Sequence, residues 1–326
     1  MNPFQPLYDN CNFGPAEQKY AELPDFPRII DVELTSSCNF RCLMCPTGNL
    51  SLQRKAEFMD LVTALKICGE AWQHGAALRF IGWGEPTLHP DLISIIDKCN
   101  QFNVLTHLNT NGSKIDGAYA RKLVDAGLSS IKFSFQGVSR ETYAEMRNTD
   151  FYDGMLGAIV AMREARGSSP LPFLSASTTL TYESPALVAK FKKKLEPLVD
   201  QLSIGHTVFD FMDIKAVRLP HKQKQMLWHL KGLASRDKRH PNPCPEVYDK
   251  LSVHANGDVV VCCNSYDGTA TLGNVMDAPL KELWKHPTIE AYRKRLAKGI
   301  YSGPLCSNCY DYMSVTSELP DEKAFA

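Results

Sequence analysis

Three cysteines, Cys38, Cys42 and Cys45, crowd the stretch SSCNFRCLMCPTGN at residues 36–49. A thiolate is a soft metal ligand, and three so close together answer no ordinary packing need. A structural zinc site closes with four ligands, usually in C-x2-4-C pairs. A closed four-iron cluster takes four thiolates. The C-x3-C-x2-C spacing offers three, with no cysteine or histidine near enough in sequence to complete either set. A four-iron cluster held this way keeps one iron open, as catalytic metal sites keep a position for substrate or cofactor. A second set lies near the other end of the chain. Cys244, Cys262 and the C-x2-C pair Cys306 and Cys309 are enough for a closed four-ligand site, of zinc or of iron–sulfur type. Cys11, Cys68 and Cys99 stand alone and read as small buried hydrophobes.

The elements that must position these thiols can be read from residue periodicity. Short β-rich runs at 28–34, 77–82, 103–109, 130–135, 173–181 and 201–206 alternate with helical patterns at 57–73, 90–101, 115–126, 152–166 and 185–197. In HPDLISIIDKC, for instance, Leu92, Ile95 and Ile96 share one helical face. Strict strand–helix alternation predicts the α/β class with a parallel sheet, and right-handed crossovers would curl six such units into an open, incomplete barrel. The cysteine loop follows the first strand directly, at the end where α/β barrels carry their chemistry. The alternation stops near 207. Residues 207–243 read as a basic connector ending in prolines, and 244–326 as a second, smaller module. Within that module KLSVHANGDVVVCC reads as a hairpin turning at Asn256-Gly257, followed by a helical stretch at 279–299. Residues 1–27 are an N-terminal extension.

The C-x3-C-x2-C loop after a first strand resembles the signature of the radical S-adenosylmethionine (SAM) superfamily. The resemblance implies a partial (β/α)6 TIM-like barrel and a [4Fe–4S] cluster on Cys38, Cys42 and Cys45. Its open iron would be chelated by the amino and carboxylate groups of SAM, whose one-electron cleavage yields a 5′-deoxyadenosyl radical. FIGWGEPTLHP is similar to the family's glycine-rich segment that meets the SAM amino group. Gly82, Gly84, Glu85 and Pro86 match it, whereas Trp83 stands where glycine is usual. On the same resemblance Met44, Asn111, Ser134 and Gln136 are candidate SAM contacts. Arg147 reads either as a partner of the SAM carboxylate or as a solvated helix charge, and the second reading is favoured.

The pattern from Cys244 to Cys309 looks like the family's C-terminal auxiliary-cluster extension, in the shortened twitch form of the SPASM domain. It implies a second [4Fe–4S] cluster, giving two per chain, on Cys244, Cys262, Cys306 and Cys309. Strand neighbours point to opposite faces, so only one of Cys262 and Cys263 need face the cluster, and its place in the resembling pattern implies Cys262 as the ligand. Cys263 is left as an inert thiol or as a hydrogen-atom donor to a substrate radical. The members it resembles include an aminocyclitol dehydrogenase and aminoglycoside or sugar epimerases. The expected reaction is therefore hydrogen abstraction from a carbinol C–H of a small polyhydroxylated molecule, followed by oxidation through the auxiliary cluster or by inversion. His206, Asp210 and Arg218 are candidate bases, each with a structural or solvated reading beside it. The expected partners are that small molecule and an electron donor such as flavodoxin or ferredoxin. The extension before the first strand looks too short for the leader-binding domain of peptide-modifying members. A peptide-modifying maturase is therefore the alternative, and a non-catalytic zinc or iron–sulfur protein the third possibility.

Composition sets the outer limits. The 326 residues are 44% hydrophobic and 22% charged, and 36 basic side chains balance 36 acidic ones. Such a chain has no overall field to draw it to nucleic acid or an anionic membrane. No run of about 18 apolar residues suggests a membrane span, and the start lacks the marks of a signal peptide. A cytoplasmic setting, where thiols stay reduced, is expected.

Overall fold

A computed structural model describes residues 1–11, 14–207, 214, 220–233, 244–300, 303–306 and 309. Six parallel strands follow one another across the sheet in chain order. They are β1 (Ile29–Val32), β2 (Ala77–Phe80), β3 (Thr106–Thr110), β4 (Ser130–Ser134), β5 (Phe173–Leu180) and β6 (Gln201–His206). The chain is of the α/β class, with the parallel sheet of a partial barrel and a small C-terminal part built on antiparallel strands. That part contributes β7 (Lys250–Val253), β8 (Asp258–Val260) and β9 (Thr271–Asn274). The expected hairpin is present, with Gly257 at a φ of 85° in its turn.

The hairpin and the barrel strands share one sheet. The order is β6-β5-β4-β3-β2-β1-β7-β8-β9, so the hairpin continues the barrel's own sheet. β7 pairs with β1 in parallel, Ile29 opposite Lys250 and Val32 opposite Val253. The physical reason is the open barrel itself. Its first strand has a free row of N–H and C=O groups, and β7 satisfies them. β8, which Cys262 follows, is thereby joined through β7 to the barrel's first strand.

Alternation along the strands separates two environments. Ile30, Val32, Leu78, Phe80, Leu108, Ile131, Phe133 and Leu174 enter one apolar core with Ile67, Ile95, Ile96, Leu123 and Ile159 of the surrounding helices. The intervening positions are polar. Asp31 of β1 sits in register with Arg79 of β2 and accepts two hydrogen bonds from it, at 2.6 and 2.7 Å. His107 of β3, held by Ser130 and Asn109 and covered by Phe4, stays neutral because burial pushes its pKa well below the ordinary value.

Helix ends follow side-chain caps. Asp60 accepts from the Thr63 N–H at the start of Leu61–His74, and Asp116 and Ser184 act likewise at Gly117–Asp125 and Pro185–Leu195. The single helix read at 279–299 is two, Leu280–Leu283 and Pro287–Ala297. Pro287 cannot continue the first, and His286 caps the second. Helices Gln5–Cys11 and Ala16–Ala21 were not anticipated, and the helix that carries Arg147 is Arg140–Arg147. The last opens with a reciprocal cap between Ser139 and Thr142, lacking the Glu or Gln that marks such a box in sequence. Among the described residues no helix is long and apolar enough to cross a membrane.

Candidate functional site

The carboxyl ends of β1 to β4 enclose one cavity of about 200 Å³. Cys38, Cys42 and Cys45 line it, joined by Met44, Trp83, Gly84, Glu85, Asn111, Ser134 and Arg147. Residues far apart in sequence meet here because parallel strands end side by side. The loop that carries the thiols is folded tightly on itself. The Cys45 and Asn49 N–H groups donate to the carbonyls of Cys42 and Cys45, and a Cβ on Gly48 would stand 2.2 Å from the Cys42 carbonyl oxygen. Leu43 points away into a small separate cluster with Met146, Ile214, Leu227 and Leu230, so the connector helix His221–Leu233 covers the back of the loop.

The donor set suits a metal cluster. Burial pushes the Cys38 thiol up to about 12 and the Cys45 thiol up to about 11, and the thiols' mutual repulsion adds to both. Thiols so raised become thiolates only beside a strong positive charge, which a coordinated metal supplies. One cation is built in. Arg147 is 8% exposed, donates from Nη1 to Cys42 Sγ at 3.4 Å and from Nη2 to the Ser134 carbonyl, and leaves Nε buried without a partner. Burial alone would lower the Arg147 pKa, but the facing Cys42 and Tyr143 outweigh it, so the guanidinium stays charged. The favoured reading of Arg147 as a solvated helix charge is therefore corrected. Its place in the last turn of Arg140–Arg147 points it inward beneath β4.

Glu85 is 3% exposed, and its carboxylate is heavily engaged. Thr87 donates from its N–H at 3.1 Å and its hydroxyl at 2.6 Å, Thr110 from its hydroxyl at 2.8 Å, and the Asn111 N–H at 2.7 Å. Those four donors fill a carboxylate's accepting sites, tying the end of β2 to the end of β3. Burial raises the Glu85 pKa, against those hydrogen bonds. Asn111 in turn donates to the Asn39 side chain at 2.9 Å and lies 3.9 Å from Cys38 Sγ. Gly84 is required by a close crossing, since a Cβ there would meet the Thr35 carbonyl oxygen at 2.0 Å.

Gln136 is not among the residues lining the cavity. Its amide donates to Thr207 Oγ1 at 2.6 Å and accepts from Thr179 Oγ1 at 2.7 Å, serving the ends of β5 and β6 instead. His206 ends β6, while Asp210 and Arg218 lie outside the described residues.

Trp83 connects this cavity to the C-terminal cysteines. Its main chain is pinned on both sides, the N–H donating to Glu33 Oε2 at 3.0 Å and the carbonyl accepting from Thr47 Oγ1. Glu33 is itself gripped by both Arg54 Nη atoms at 2.8 and 2.9 Å. The Trp83 indole N–H donates to the Cys263 carbonyl at 3.0 Å, and the ring meets Tyr266 edge-on at 5.5 Å. Sequence reasoning marked Trp83 only as a departure from glycine.

In the second set, Cys262 follows β8 and packs with Cys244 and Cys306 against the main core. Burial raises its thiol far above the ordinary range, with Glu246, Cys244 and Cys309 pushing the same way. Burial raises Cys306 too. The Cys309 N–H donates to the Cys306 carbonyl at 3.3 Å, and the Asn264 side chain donates to the Leu305 carbonyl at 3.2 Å. These contacts draw the chain after β8 and the C-x2-C turn together, and Cys262 feels the neighbouring Cys244 and Cys309 thiols. No group of side chains close enough to hold a single metal ion occurs among the described residues.

Comparison with known proteins gives two family matches. Residues 32–185 match the model of the Radical SAM superfamily, and residues 244–310 match the SPASM iron-sulfur cluster-binding domain. Among curated proteins, the PqqA peptide cyclase of Methylocella silvestris is 25% identical over 289 residues, covering 80% of this chain and 75% of that protein. Alignments with the namesakes from Gluconobacter oxydans and Methylorubrum extorquens span only 32% and 27% of those proteins. Among solved structures, BtrN in complex with AdoMet and 2-DOIA aligns over 90% of this chain and 96% of its own, with 16% identity and a TM-score of 0.56. Streptococcus suis SuiB bound to the precursor peptide SuiA aligns over 85% of this chain and 68% of its own, with 16% identity and a TM-score of 0.65. At such identities the two structures share the fold with this chain.

Proposed function

The chain belongs to the radical SAM superfamily and carries a SPASM domain, and from that premise we propose that it is a peptide-modifying enzyme. The domains of this family bind a [4Fe–4S] cluster with SAM, and further iron–sulfur clusters in the SPASM part. When bound, the first cluster and SAM would supply one-electron chemistry that takes a hydrogen atom from substrate. The observation that carries the site reading is the single cavity shared by Cys38, Cys42, Cys45 and Arg147.

In this reading Cys38, Cys42 and Cys45 would hold the first cluster, with SAM as its further ligand. Met44, Gly84, Asn111 and Ser134 form the wall against which the cofactor is oriented. Arg147 offsets thiolate charge beside Cys42 and keeps its Nε for a cofactor carboxylate. Glu85 holds the wall's shape through Thr110 and Asn111. Cys244, Cys262, Cys306 and Cys309 hold the second cluster. The buried backing of Leu43, Met146 and Leu227 keeps water from the loop's rear.

The peptide reading replaces the small polyhydroxylated substrate as the first choice. Its support is the PqqA peptide cyclase likeness, which runs along 80% of this chain, and the fold shared with SuiB bound to its precursor peptide. Oxidation of a carbinol in a small molecule is the second reading, supported by the nearly end-to-end alignment with BtrN. Cys263 keeps a role as hydrogen donor only in the epimerising form of that second reading.

The test is anaerobic reconstitution, followed by incubation with SAM and a reductant. The proposal expects 5′-deoxyadenosine. It further expects a crosslinked or dehydrogenated peptide when candidate precursor peptides are supplied. Conversion of polyols or aminocyclitols with every peptide inert would exchange the first reading for the second.

A further inference from the structure

Two carbonyls just past Cys262 are gripped by side chains from the barrel. The Cys263 carbonyl accepts the Trp83 indole N–H at 3.0 Å, and the Tyr266 carbonyl accepts Arg54 Nε. Both gripping residues are anchored on one carboxylate, that of Glu33, which directly follows β1 and is 3% exposed. Arg54 donates to Glu33 Oε1 at 2.8 Å and to Oε2 at 2.9 Å, and the Trp83 N–H donates to Oε2 at 3.0 Å. A fourth donor, the Ala255 N–H in the turn between β7 and β8, reaches Oε1 at 3.3 Å. Gly82 leaves room for this group, since a Cβ there would stand 2.5 Å from Glu33 Cγ. A buried carboxylate is costly unless it is paired and hydrogen-bonded, and the planar fork of Arg54 meets both of its oxygens. The first strand, the chain after the cysteine loop, the cavity wall and the auxiliary hairpin therefore converge on Glu33, although they are far apart in sequence.

We propose that Arg54 and Glu33 are paired positioning residues that set the auxiliary-cluster loop against the wall of the SAM cavity. Glu33 orients Trp83 and Arg54, and those two hold the chain at Cys263 and Tyr266. The inference rests on the reading of Cys38, Cys42, Cys45 and Cys262 as cluster ligands, and deepens it by naming what fixes one site against the other. Arginine is required at position 54 because its two Nη atoms face the carboxylate while Nε serves the Tyr266 carbonyl. Lysine carries its donors on a single nitrogen and cannot make all three bonds. Trp83 gains a purpose where the family's segment usually has glycine, because glycine has no side chain to reach Cys263.

The experiment compares the reconstituted wild type with Arg54→Lys and Arg54→Gln by amide hydrogen exchange and by the kinetics of 5′-deoxyadenosine formation from SAM and a reductant. In the auxiliary loop the probes are the Ser265 and Gly268 amides, which donate to the Cys262 and Ser265 carbonyls. In the cavity wall they are the Trp83 and Glu85 amides, which donate to Glu33 and to the Ser37 carbonyl. Arg54→Lys keeps a cation beside Glu33 and loses the donor to Tyr266. Exchange should rise about tenfold in the auxiliary loop alone, the size of one lost hydrogen bond to a charged group. The KM for SAM should stay at the wild-type value. Arg54→Gln leaves the Glu33 charge without its cation, so loop and wall should both loosen, and the KM should rise about tenfold at unchanged kcat. Unchanged exchange of the auxiliary loop in both variants would overturn the proposal. An equal rise in β4 and β5, which touch neither residue, would overturn it too, by making the pair a general support of the fold. Failure of the underlying reading looks different. A wild type that holds no iron, or that forms no 5′-deoxyadenosine, removes the site assignment and the proposal with it, whatever the exchange pattern.

Discussion

The two cysteine sites are built in opposite ways. The first takes its thiols from one short loop, Cys38 to Cys45, and borrows its walls from four strand ends. The second gathers its thiols from the end of the connector, the end of β8 and the last described turn, and has its neighbours in the main core. The first opens onto a cavity with a partnerless guanidinium nitrogen, whereas the second has enough thiols to close on itself. The difference teaches what each is for. A vacant position beside a cavity suits substrate chemistry, and a closed set suits electron transfer or support. The continuous sheet across β1 and β7 holds the two at a fixed relation.

The sharpest way to break this comparison is to remove one thiol from each site. Cys38→Ala should abolish 5′-deoxyadenosine formation while the auxiliary cluster's irons remain. Cys262→Ala should remove those irons while SAM cleavage without product formation persists. Iron analysis and chromatography of 5′-deoxyadenosine read both outcomes, and equal loss of both activities in both variants would erase the distinction.

A smaller effect is expected from the buried cation of the first site. Arg147→Ala removes the cation beside Cys42, and SAM cleavage should fall about tenfold to a hundredfold, the usual range for residues that support metal ligands. The auxiliary cluster's spectrum should not change.

Smaller again are effects on the frame. Gly84→Ala places a Cβ 2.0 Å from the Thr35 carbonyl oxygen. It should destabilise the fold by about 1–3 kcal/mol through overpacking, read as a lower denaturant midpoint. Glu85→Gln turns one accepting oxygen into a donor against four donors already in place. The expected cost is similar, about 1–3 kcal/mol, with weaker SAM binding as the wall at Asn111 shifts.

On the auxiliary side, His254 supplies a pH dependence of its own. Burial pulls its pKa down to about 4, against a value of about 6.5 when unfolded. The folded state therefore binds fewer protons than the unfolded state between those values. The His254 contribution is complete above about pH 6.5 and is lost as pH falls toward about 4. His254→Gln should flatten the dependence of the urea midpoint over that window.

Much of the barrel was legible because its strands and helices carry clean periodicity, and the six strands lie within a few residues of their expected ranges. The three-cysteine loop was legible because its spacing is local. What was not legible depends on approach through space. Arg147 looks like any basic residue ending a polar helix, and only the position of that helix beneath β4 buries it. Gln136 sits one strand end from the cavity, yet its amide is occupied by Thr179 and Thr207. The pairing of β7 with β1 could not be read from either strand alone, since both are four-residue strands with no marker of a shared edge.

The central claim, that the thiolates of Cys38, Cys42 and Cys45 leave one iron free to bind SAM, is most directly tested by electron–nuclear double resonance on the reduced holoenzyme with isotope-labelled SAM. The account predicts coupling of that cluster to the cofactor's amino nitrogen and carboxylate oxygen, lost in Cys38→Ala. A reduced first cluster that shows no coupling to bound SAM, or that carries a fourth protein ligand, would contradict it.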